Sequence, residues 1–268
     1  MDVEHPSSPL REAEEELSDL SDNDALLEQV LPLQNRWALW TRLQAGAFDS
    51  KNFEDTQWQK VAKFDTVEKF QAILQHVNPP SAFVAGVFQT LNDNLLGGGG
   101  ANEDIMDGSS RVGGKYVDAV AYFKEGCFPV VTSEQCRARW DARLKAKQTL
   151  PLEVDAMWVD AVANMVGEQF SHSDDVLGLL IAPRERSVVK IELWLRTAEE
   201  AACRRIGAKF SKILRKASAD FYRKTGEKQR TPWNDVVKCL CLQDEKRRVL
   251  YRHPIKEQVE EQGAENEN

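Results

Sequence analysis

The sequence predicts an α+β domain. Three observations carry this: apolar residues recur at helical spacing in three separate segments, residues 188–195 alternate strictly between apolar and polar, and the strands between the helices are joined by links too short for parallel crossovers.

Taken in order, residues 33–43 (LQNRWALWTRL) read as a strand carrying Trp37 and Trp40, followed by a loop from Gly46 to Thr56. The next segment, 65–77, begins with Asp65 and has Glu68 three residues on, a variant capping box. Val67, Phe70, Leu74 and Val77 follow near helical spacing, and Pro79-Pro80 terminates this first helix. Residues 95–114 are glycine-dense and aperiodic, which predicts a mobile loop, and they lack the Lys-Ser/Thr that a P-loop requires. A strand is expected over 115–123, then a charged connector over 134–148 (EQCRARWDARLKAKQ).

The second helix gathers Val154, Trp158, Ala161, Val162 and Met165 on one face and closes at Gly167. Residues 176–182 (VLGLLIA) read as a buried strand. In the alternating strand that follows, Val189, Ile191, Leu193 and Leu195 share one face, while Lys190, Glu192 and Trp194 share the other. A third helix opens with a capping box from Thr197 to Glu200, buries Ala202, Ile206, Phe210 and Ile213, and ends in Arg215 and Lys216. The segments DVVKCLCL and EKRRVLYRH predict a final hairpin, and no internal repeat is present.

Charge separates the ends from the middle. Residues 1–28 hold ten acids against Arg11 and residues 256–268 hold five against Lys256, so the formal charge of −8 conceals a segment 29–255 at +5. Both ends are expected to be disordered acidic tails flanking one domain, because they have too few large apolar groups to repay ordering. Five cysteines without a C-x-x-C pair predict free thiols in a reducing compartment. With no apolar run long enough for a membrane span and no basic-apolar leader, the expected location is cytosolic or nuclear-cytosolic.

The run Pro32-Leu33-Gln34-Asn35-Arg36-Trp37-Ala38-Leu39-Trp40 resembles the hallmark of eukaryotic translation initiation factor 4E, and Lys63-Phe64-Asp65-Thr66-Val67-Glu68 resembles its next block. Gly113-Gly114-Lys115-Tyr116, Val166-Gly167-Glu168-Gln169-Phe170, Ser173-Asp174-Asp175-Val176 and 190–194 follow in the family's order. The resemblance spans roughly residues 31–214 and implies a curved antiparallel sheet backed by three long helices. It also implies that the 7-methylguanosine cap of mRNA lies in the concave face, that no cofactor or metal is needed, and that a 4G-type scaffold or a repressor docks on the convex helical side. Methylated guanine is cationic and so attracts aromatic faces.

Carried over residue by residue, Trp194 matches the tryptophan that touches the methyl group. Phe53 falls at the first stacking position, with Trp58 as the alternative. Met106 and Asp107 stand where a Trp-Glu pair is expected, so a thioether would cover the ring while a carboxylate accepts from the guanine edge. Lys115, Arg184 and Lys190 match phosphate-contacting positions, and Lys224, Lys228 and Arg230 could reach further nucleotides. Pro32, Val67, Val159 and Asp160 match the partner groove, but Gln71 replaces its tryptophan and Ala163 its leucine.

The expected function is therefore cap binding and scaffold recruitment. The alternative is a 4E-like interaction protein or repressor that has lost strong cap binding. An enzyme would need a metal at Asp174-Asp175 or a Cys-His pair, and the four histidines are scattered.

Overall fold

The computed structural model describes residues 30–45, 58–82, 111–112, 115–130, 134–145, 147–184, 188–230, 237–241 and 249–253. The two acidic ends and most of the glycine-dense segment 95–114 lie outside these residues.

The chain runs β1 (Pro32–Ala45), β2 (Trp58–Thr66), α1 (Val67–His76), β3 (Arg111–Val112), β4 (Lys115–Lys124), β5 (Ala138–Lys145), α2 (Pro151–Val166), β6 (Val176–Arg184), β7 (Val188–Leu195), α3 (Glu200–Thr225), β8 (Val237–Cys241) and β9 (Val249–His253). A 3-10 turn at Ser173–Asp175 leads into β6. The strands form a single sheet in the order β2-β1-β4-β6-β7-β5-β8-β9, with β3 attached to β4. The pairings between these strands are antiparallel. The β1–β2, β1–β4, β6–β7 and β8–β9 pairings contain register shifts, bulges or other irregularities that interrupt the ladder locally.

One face of the sheet carries the helices. Trp37 and Leu39 from β1, Tyr122 from β4, Trp140 and Leu144 from β5, and Ile191 and Leu193 from β7 all point into a core shared with Phe70, Met157, Trp158, Ile206 and Phe210 of the helices. The α2–α3 contact is tied by a buried carboxylate: Glu153 accepts from Ser218 Oγ and Tyr222 OH, each at 2.6 Å. α3 lies against β5 so closely that a Cβ on Gly207 would sit 2.1 Å from the Trp140 ring. The Trp140 indole also donates to the Cys203 carbonyl at 3.0 Å.

Several boundaries differ from the sequence expectation. The segment read as a charged connector is strand β5, in the interior of the sheet. Ala138, Trp140, Ala142 and Leu144 face the helices and the charged residues alternate with them, so it is an amphipathic strand whose polar half hides its period. β2 begins inside a stretch with no predicted strand, because Gln59, Lys60 and Val61 are all exposed. The first helix is capped by Thr66, whose hydroxyl accepts from Lys69 N at 3.3 Å. Glu68 instead accepts from Leu31 N at 3.0 Å. The third helix does not stop at Lys216: Ala217, Ser218 and Tyr222 continue its buried face, and the left-handed Gly226 (φ +72°) ends it. Its N-cap is Glu199, which accepts from Ala201 N and Ala202 N. The four cysteines whose side chains are described are free thiols, and all are buried.

Candidate functional site

The face of the sheet opposite the helices has its own small apolar cluster. It contains Trp40, Phe123, Leu177, Leu180 and Trp194, floored by Ala38, Ala119 and Ala121, with Trp58 packed against it. Gly178 makes room for Phe123, since a Cβ there would lie 2.4 Å from its ring. Phe123 in turn meets Trp194 edge to face at 5.5 Å. Trp194 is only 1% exposed.

Two buried charge sites flank this cluster. At the first, Arg42 pairs with Ala119 and Leu43 with Val117, which leaves Asp118 as an extra residue in β4. The bulge turns Asp118 onto the same face as Arg42, and the carboxylate accepts from Arg42 Nε and Nη2, each at 2.7 Å. Trp58 covers the guanidinium at 5.6 Å from its ring centroid.

The second site is a network across β5, β6 and β7. Arg139 reaches Asp141 at 2.6 Å and Glu192 at 3.1 Å; Arg184 reaches Glu192 at 2.9 Å; Lys190 reaches Asp141 at 3.0 Å and Glu192 at 3.8 Å. Register explains the assembly, because Asp141 lies opposite Glu192, Ala182 opposite Lys190 and Arg184 opposite Val188. The Trp194 indole donates to Glu192 at 3.3 Å, and Arg139 lies 5.8 Å from the Trp194 ring centroid. Burial by itself would raise the Glu192 pKa, but Arg139, Arg184 and Lys190 together hold it down to about 2. Burial lowers the Lys190 pKa against the pull of Asp141 and Glu192. Among the described residues the network sets three cations against two carboxylates in a poorly hydrated site, and an excess of cations attracts an anion.

The sequence-predicted residues divide into three groups. Trp194, Lys190 and Arg184 come together on the open face, with Lys190 and Trp194 about 13 Å apart along one strand. Lys115 opens β4, and Phe53, Met106 and Asp107 lie outside the described residues. Trp58, the alternative to Phe53, packs over Arg42. On the helical side Val159 is 42% exposed. Pro32, Gln71 and Ala163 are also exposed, and Val67 and Asp160 are half-buried. Arg139, Asp141 and Glu192 were not singled out as site residues. For Glu192 the signal was present, since the alternation puts it between Lys190 and Trp194 on one face.

Among the described residues no group of His, Cys, Asp or Glu is arranged to hold a metal ion, and no helix is long and apolar enough to cross a membrane.

The molecule is a single antiparallel sheet with helices on one face and an aromatic, cation-bearing opposite face. The family description "Eukaryotic initiation factor 4E" matches residues 113–235. Initiation factor 4E-1A of Danio rerio is 30% identical over 170 residues, covering 61% of this chain and 60% of the relative. The type 1B factor of Homo sapiens is 30% identical over 181 residues, covering 65% of this chain and 58% of the relative. The chain thus spans about three fifths of the length of these curated relatives. Among solved structures, C. elegans eIF4E-3 in complex with the 4E-binding protein Mextli superposes with a TM-score of 0.50 at 25% identity, over 70% of this chain and 88% of that one. Ascaris suum eIF4E-3 with the m7G cap gives 0.56 at 23% identity, over 85% of this chain and all of that one (100%), and supports the fold. The chain is similar to the eukaryotic initiation factor 4E family, most clearly over residues 113–235.

Proposed function

We propose that this protein binds the 7-methylguanosine cap of mRNA on the open face of its sheet and recruits a scaffold or repressor protein on the helical side. It acts as a cytoplasmic translation factor and not as an enzyme. The observation that carries this reading is the alignment of Trp194, Glu192 and Lys190 along one strand, with Arg184 beside them, in a chain that is similar to this family. Trp194 meets the methylated ring, and Arg184, Lys190 and Lys115 serve the triphosphate. Phe53 and Met106 supply the stacking surfaces, and Asp107 accepts from the guanine edge. Residues 29–255 form the binding domain, and the acidic ends are tails.

Replacing two tryptophans by Phe53 and Met106 removes ring area, so affinity is modest, because stacking groups contribute roughly 1–3 kcal/mol each. The test is a titration with m7GTP and GTP, followed by intrinsic fluorescence and repeated with Trp194→Ala. Selectivity for m7GTP that collapses in the variant supports the reading, whereas equal affinity for both nucleotides rejects it.

One observation favours a second reading, a family member that assembles with proteins but no longer holds the cap tightly: Trp194 is 1% exposed and packed on Phe123. The same titration separates the two. On the helical side, exposed Val159 and Ala163 offer an apolar strip, but Gln71 lacks the aromatic anchor that dominates helix-in-groove affinity. Weak binding of a standard 4G peptide is expected. A native pull-down should be lost with Val159→Glu, and retention would move the partner surface elsewhere.

A further inference from the structure

The cationic character of the open face does not end at the triphosphate candidates. The face-alternation that puts Arg139 and Asp141 into the buried network continues along β5 to Arg143 and Lys145, while Trp140, Ala142 and Leu144 face the helices. Arg143 stands directly opposite Lys190, and Lys145 opposite Val188. On the other side of β5, Lys238 of β8 stands opposite Asp141. Arg143 and Lys145 are exposed and make no ion pair among the described residues. Among the described residues of β5 to β8 this face holds Arg139, Arg143, Lys145, Arg184, Lys190 and Lys238 against Asp141 and Glu192. Arg143 and Lys190 are like charges directly opposite one another, which disfavours their pairing, and among the described residues Asp141 and Glu192 offset Lys190 but not Arg143.

We propose that Arg143 and Lys145 form a phosphate track for the RNA body, continuing from the Arg184–Lys190 site across β5 toward Lys238. The occupant is a single-stranded ribonucleotide backbone, and three features favour it. The track is continuous with the triphosphate site assigned above. It is cationic where that site is partly neutralised. Among its described residues it also has no exposed large apolar side chain of the kind a peptide partner would use. This inference rests on the cap-binding reading, and its test is arranged so that either can fail alone.

The experiment compares m7GTP, a capped decanucleotide and the same decanucleotide uncapped, each titrated against wild type and the Arg143→Ala/Lys145→Ala double variant over a range of salt concentrations. Both side chains are exposed, and thermal melting checks that the fold is retained. Wild type should bind the capped decanucleotide more tightly than m7GTP. In the double variant that advantage should shrink by about 5- to 20-fold at low salt, with the log–log salt slope lower by about 1.4, while m7GTP binding is unchanged. Arg143→Lys should preserve the advantage. If the capped decanucleotide never binds better than m7GTP, or the advantage survives in the double variant, the track is overturned. If m7GTP is not bound at all, the cap reading fails, and the uncapped decanucleotide decides: its salt-dependent binding must weaken in the double variant. If polyglutamate displaces the RNA from wild type and binds equally tightly by itself, the surface belongs to an acidic peptide and the RNA assignment falls.

Discussion

The two buried charge sites on the open face share residue types and differ in balance. Arg42 and Asp118 are one cation and one anion in a bidentate pair, 4% and 2% exposed, covered by Trp58. The β5–β7 network sets three cations against two carboxylates, and its Arg184 and Lys190 reach the surface with side chains 19% and 13% exposed. A neutral, covered pair has nothing left to attract and serves the geometry of the β4 bulge. A network whose described cations outnumber its carboxylates, with two of them at the rim, keeps an attraction for an added anion. Two arginine–carboxylate clusters on one sheet can therefore have opposite purposes, and stoichiometry separates them better than distance.

The comparison can be broken most forcefully at Asp118. Asp118→Ala leaves the Arg42 guanidinium buried without its carboxylate and should cost about 3–5 kcal/mol in urea unfolding, with no specific effect on nucleotide selectivity. An Arg42→Met/Asp118→Leu double replacement should recover most of that loss. If the single variant is as stable as wild type, the pair is not architectural.

A smaller effect is expected at Glu192. Its folded pKa, about 2, lies below the ordinary glutamate value near 4.3, so its contribution is fully present above about pH 4.3 and is lost as the pH falls toward 2. The stability difference between wild type and Glu192→Gln should therefore be roughly 3 kcal/mol at neutral pH and shrink through that window. A difference that does not change between pH 5 and pH 2 would mean that the network does not hold Glu192 ionised.

The smallest effect distinguishes ligand from scaffold. Neutralising Arg184 or Lys190 should weaken m7GTP binding by about 3- to 10-fold and flatten its dependence on salt, because each removes one cation facing the phosphates. Unaltered slopes in both variants would remove these residues from the phosphate site and make the network purely structural, like the Arg42–Asp118 pair.

Much of the scaffold could be read from periodicity. β7 is the clearest case: Val189, Ile191, Leu193 and Leu195 face the helices, and Lys190, Glu192 and Trp194 face away. β5 defeats the same rule because two of its inward residues are alanines and its outward residues are charges that become buried in pairs, which no single-strand pattern reveals. The third helix ran past its predicted end because basic residues at 215 and 216 imitate a C-terminus, whereas the true stop is Gly226. Arg184, Lys190 and Trp194 lie on one face of the sheet, whereas Arg139 and Asp141 enter through β5 and were invisible until that strand was placed.

The position of β5 also sets an order of events in synthesis. It precedes α2, β6 and β7 in the chain, yet it lies between β7 and β8, and its pairing of Ala142 with Val237 joins residues almost a hundred positions apart. Until β8 arrives, the Ala138–Ala142 stretch of β5 is the outer margin of the sheet, with a row of amide and carbonyl groups facing nothing. An open margin of this kind invites pairing with another chain. A ribosome that has not yet released residues 237–241 therefore carries a nascent protein with this margin of β5 open, and the β8–β9 hairpin is what covers it.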